Sequence, residues 1–70
     1  MTRTARAEAL FTSSLQPSQH PTHDQVVAAI RTSLSEHGGV NGCAGAVAAE
    51  YGEHPETSAD RMRWALAAAA

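Results

Sequence analysis

Apolar residues recur at intervals of three and four along most of this chain, and no segment alternates apolar with polar residues as a half-buried strand does. Alanine and leucine dominate over β-branched and aromatic residues, which argues against a sheet. The pattern predicts an all-α fold: one helical domain over residues 1–70, built as a small bundle of three to four short helices. The first helix is expected over about 4–15, with Thr4 as N-cap and Ala7, Leu10, Phe11 and Leu15 on one face. Glu8 falls in its early turns, where the helix dipole favours negative charge. A linker, "QPSQHP" over 16–21, follows because Pro17 and Pro21 disfavour helix in the residues before them.

The second helix, expected over 22–37, has the clearest start. Thr22 and Gln25 have the spacing of a capping box, and Asp24 lies in the first turn. Val26, Val27, Ile30 and Leu34 form its apolar stripe, and His37-Gly38-Gly39 ends it where glycine adopts the left-handed conformation without steric cost. A third helix is expected over 42–51, capped by Asn41, with Cys43, Val47, Ala48 and Tyr51 inward and Gly52 as C-cap. Pro55 suits the first turn of a fourth helix over 55–68, since its missing N–H costs nothing there. In that helix Ala59, Met62, Ala65, Leu66 and Ala69 share a face, while Trp64 points away beside Asp60, Arg61 and Ala68.

Composition narrows the function classes. Seventy residues bury only about 60 % of the unfolded chain's surface, so a homodimer is one route to a larger core. No run approaches the roughly 20 apolar residues of a membrane span, and no apolar segment follows Arg3 and Arg6, so neither membrane insertion nor a secretory leader is expected. A single cysteine cannot form an internal disulfide and is consistent with a cytoplasmic setting. All five basic residues are arginine and the net charge is -2, a balance unlike that of most nucleic-acid binders. Fifteen alanines, no lysine and one isoleucine indicate a GC-rich coding source.

Few residues suggest chemistry. His20, His23 and Asp24 have donors suited to a divalent metal, but an exposed linker and cap explain them equally, and no second ligand pair accompanies them. Cys43 near a helix start could be a reactive thiol, yet the same position puts it on the apolar stripe as a small hydrophobe. Glu50, Glu53 and Glu56 cluster around the turn with His54, and His37 is a further imidazole. A helical domain of this size leaves little room for a substrate pocket, so no enzyme, cofactor, metal or small-molecule substrate is expected. Trp64, flanked by Arg61 and Arg63, has the composition of a protein-binding anchor, unless the first helix covers it.

The stretch "GCAGAVAAEYGEHPETSADRMRW" resembles a helix-turn-helix in its first half. Ala48 stands four residues before Gly52, where that motif has its small residue, and Val47, Tyr51 and Pro55 match neighbouring positions. The second half departs from it. Glu53 follows the turn glycine, and the two apolar anchors of the second helix fall on Ser58 and Arg61. A turn one residue longer would recover Ala59 and Met62. The resemblance implies that Thr57, Arg61 and Arg63 would face DNA, where Glu53 and Glu56 would repel phosphates. Separately, "LQPS", "GCAGAVAAEYGEHPE" and "RMRWA" are similar to a group of small, alanine- and arginine-rich actinobacterial proteins of unknown function, notably from Streptomyces and relatives. That similarity implies a bacterial, cytoplasmic protein and carries no activity. The function expected is a non-enzymatic helical regulator or adaptor that binds a protein partner or itself through Trp64, Arg61 and Arg63. The alternative is a DNA-binding transcriptional regulator.

Overall fold

Thr2, rather than Thr4, opens the first helix: its hydroxyl accepts from the Ala5 N–H at 3.0 Å, and α1 runs Arg3–Phe11 in the computed structural model, which describes all 70 residues. The helix stops well before Leu15 because three hydroxyl residues follow it. Thr12 Oγ1 donates to the Ala9 carbonyl at 2.9 Å and Ser13 Oγ to the Leu10 carbonyl at 2.6 Å, so side chains claim the carbonyls that another turn would use. The linker contains a single 3-10 turn at Pro17–Gln19, closed by the Gln16 N–H donating to Gln19 Oε1 at 2.7 Å.

The second helix, α2 (His23–His37), begins at the expected capping box. Thr22 Oγ1 accepts from the Gln25 N–H at 3.2 Å, and Gln25 Oε1 accepts from the Thr22 N–H at 2.8 Å. Its end is also as expected. Gly38 sits at φ 77°, ψ 35°, and Gly39 at φ 92°, ψ −166°, a backbone region that is essentially glycine's alone.

The third helix, α3 (Val40–Glu53), corrects both expected ends. It starts at once after Gly39, without Asn41 as cap. It also passes through Gly52 and ends at His54, whose φ −137° and ψ 67° break the helix. Proline is the cause: Pro55 crowds the residue before it out of the α region, so His54 alone joins α3 to α4 (Pro55–Ala68). The hairpin is therefore tighter than a Gly52–Pro55 turn.

Packing places α1 at the centre, touching each of the other three helices, while α2 and α4 scarcely meet. Ala5, Ala7, Ala9, Leu10 and Phe11 are buried, more than one stripe's worth, as a helix covered on several sides requires. The alanines let the neighbouring helices approach closely. Val26 and Ile30 from α2, Cys43 and Val47 from α3, and Ala65 and Ala69 from α4 complete the core. Leu15, Val27, Leu34, Met62 and Leu66 are only half-buried around it. Ala48 and Tyr51, expected inward, are exposed; the Tyr51 ring stacks on Phe11 at the end of α1, with centroids 6.2 Å apart.

Candidate interaction surface

Helix α4 faces the core largely through the face the sequence groups together, since Ala65 and Ala69 are buried and Met62 and Leu66 pack half-buried against the core. Its buried residues are Ser58 and Ala65, followed by the buried C-cap Ala69, with Met62 and Trp64 half-buried. In the turn around Ser58, that serine is the buried residue, while Ala59, Arg61 and Met62 are all half-buried. Ser58 is buried with no hydrogen-bond partner for its hydroxyl, and Arg61 lies against α1. A one-residue joint, not a lengthened turn, produces this register.

Arg61 has a defined structural task. Its Nε donates to the Phe11 carbonyl at 2.8 Å, and its Nη2 donates to the Ser13 and Leu15 carbonyls at 3.0 and 2.9 Å. The guanidinium also lies over two rings, 5.7 Å from the centroid of Phe11 and 5.0 Å from that of Trp64. Burial lowers the pKa of Arg61 from its ordinary value, since desolvation disfavours the cation. The Phe11 carbonyl at the negative end of α1, with the Ser13 and Leu15 carbonyls just beyond it, offsets that cost.

The opposite ends of the two helices are joined the same way. Arg3 donates from Nε and Nη2 to the Leu66 carbonyl at 3.2 and 3.1 Å, and Arg6 donates from Nε to the Ala69 carbonyl at 3.1 Å. Three arginines therefore form a reciprocal latch between antiparallel helices, each supplying cations to the other's carboxyl end. Neither α1 nor α4 has a basic residue in its own last turn. Sequence reasoning missed this latch. The available signal was that Arg3 and Arg6 stand at the amino end of their own helix, where the dipole disfavours positive charge.

The other singled-out residues are scattered. Arg63 is exposed and pairs with Asp60 one turn earlier. Thr57 is exposed, its hydroxyl donating to the His54 carbonyl at 3.4 Å. His20, His23 and Asp24 are exposed and do not converge into a ligand group. Cys43 is buried, its Sγ 3.7 Å from the Ser33 carbonyl, and serves as a core hydrophobe. Glu50, Glu53 and His54 do converge, with donor atoms within 4.8 Å of one another on the exposed α3–α4 joint.

Two depressions flank α2. One, of about 440 Å3, is rimmed by the hydroxyls of Thr12, Ser13, Ser14 and Thr32. The other, of about 310 Å3, is floored by Val27, Ile30 and Leu34 and edged by the exposed Met1 and by Arg6 and Arg31. It exists because α1 covers only part of the α2 stripe: Val26 and Ile30 are buried, but Val27 and Leu34 keep a solvent-facing side. The molecule is a small all-α bundle of four helices, none long and apolar enough to cross a membrane. No protein-family model, curated protein or solved structure matches the chain.

Proposed function

We propose that the chain is a non-enzymatic helical adaptor or regulator that acts by binding a protein partner or itself. One observation carries this reading: the apolar groove formed by Val27, Ile30 and Leu34 of α2 with Met1 beside them, which no other part of the chain covers. The surface therefore moves from the α4 residues Trp64, Arg61 and Arg63 to α2. Arg61 is engaged on α1, Arg63 on Asp60, and Trp64 contributes only the edge that Arg61 and the core leave open. A DNA-reading role has less support. Four of the five arginines are bonded within the chain, and Glu50, Glu53 and Glu56 surround the start of the helix that would meet the phosphates. Leu34→Glu tests the reading, because it charges the groove from a half-exposed position. Association, measured by light scattering for the pure protein and by affinity capture from its native cell, should be lost while helicity is kept. Undiminished association in both measurements rejects the groove.

A further inference from the structure

We propose that the occupant of this groove is a second copy of the chain, with the two α2 helices antiparallel about a twofold axis that passes between Val27 and Arg31, level with residue 29 along the helix. The inference rests on reading the groove as a protein-docking face and adds the identity of the partner. Asp24, Val27, Arg31 and Leu34 follow one another at spacings of three, four and three, the seam of two helices packed side by side. Val27 and Leu34 line the groove or its floor, Arg31 forms its edge, and Asp24 continues the same face one turn toward the amino end.

A twofold interface is isologous, so each residue meets its reflected position in the other copy. Reflection about residue 29 sets Asp24 opposite Leu34 and Val27 opposite Arg31 of the second chain. The diagonal neighbours are then Asp24 with Arg31, and Val27 with Leu34. A rise of about 1.5 Å per residue leaves each diagonal pair about 4.5 Å apart along the axis, within reach of these side chains. Both a carboxylate–guanidinium pair and an apolar pair therefore form twice. Within a single chain Asp24 and Arg31 are exposed and neither has an ion-pair partner. A different partner would have to supply an acid and a base at these two places, whereas this face supplies both to itself. Self-pairing would also cover Val27 and Leu34, which a single chain leaves half-buried.

Sedimentation equilibrium on the intact protein tests the proposal. A reversible monomer–dimer equilibrium is expected, with Val27→Glu monomeric and still helical by circular dichroism. Asp24→Arg and Arg31→Asp should each raise the dissociation constant about tenfold, and the combined swap should restore most of the loss. The single-variant effects should shrink as salt rises. A wild type that stays monomeric at about millimolar concentration (the weak end of specific association) overturns the proposal, and so does a dimer that the swap does not rescue. If the wild type is monomeric but Leu34→Glu abolishes capture of a cellular protein, self-pairing fails and the docking face stands. If that capture is unchanged, the docking face itself fails.

Discussion

Arg61 and Ser58 are three residues apart on one helix and represent opposite treatments of a buried polar group. Arg61 spends its donors on three carbonyls and rests on two aromatic faces, whereas the Ser58 hydroxyl is buried with no partner. Removing each should therefore have opposite signs. Arg61→Met is expected to destabilise the fold by about 2 kcal/mol, because charge-assisted bonds are lost and carbonyls are left bare. Arg61→Lys should recover little of it, since an ammonium lacks the planar fork that reaches several carbonyls at once. Arg3→Met, whose bonds are exposed, should cost only about 0.5 kcal/mol. Ser58→Ala should be neutral or stabilise by up to about 1 kcal/mol, because it removes an unpaired hydroxyl from the interior. Denaturant titrations of the four variants check the whole ordering, and a destabilising Ser58→Ala would contradict the burial argument.

At the scale of elements, the ends of helices are where local chemistry and tertiary structure divide the work. The start of α2 is local: Thr22 and Gln25 satisfy one another within four residues, and Thr22→Ala should cost about 1 kcal/mol. The start of α3 is not local. Gly42 looks like an ordinary helix residue, but a Cβ there would lie 1.4 Å from the His37 carbonyl oxygen, because α3 begins against the end of α2. Gly42→Ala must push backbone from backbone and is expected to cost about 3 kcal/mol or more. Gly45→Ala, with nothing within 4 Å of the added carbon, is the control and should be harmless or mildly stabilising by thermal melting. The end of α3 teaches a similar lesson. Gly52 has a residue type suited to a cap, but Pro55 determines the position of the break, and Gly52 remains inside the helix.

For the whole molecule, charge is arranged by the fold more than by composition. The latch draws Arg3, Arg6 and Arg61 onto helix ends, while Glu50, Glu53 and Glu56 gather around the α3–α4 joint. A titration with mixed-sequence duplex at low salt is therefore expected to show no binding. Salt-dependent affinity there would revive the helix-turn-helix reading. The groove on α2 arises at this scale too. It reflects the width of an apolar stripe that one central helix, rich in alanine, cannot cover.

Local pattern was enough to define the class of fold, both ends of α2, the place of Pro55 at the head of α4, and the core roles of Leu10, Phe11, Val26, Ile30, Cys43 and Val47, and it narrowed the bundle to three or four helices. Each depends on periodicity or on groups within a turn of one another, and those are written in neighbouring residues. Which residues of α4 face inward depends on the angle at His54 and on what α1 presents to it, so the burial of Ser58 and the docking of Arg61 on α1 are not legible in the local pattern. The exposure of Tyr51 and Ala48, the clash waiting at Gly42 and the half-bare stripe of α2 likewise depend on where a second helix lies. Arg3 and Arg6 stand more than sixty residues from Leu66 and Ala69. Only the folding of α1 against α4 gives a guanidinium at one end of the chain the carbonyls at the other.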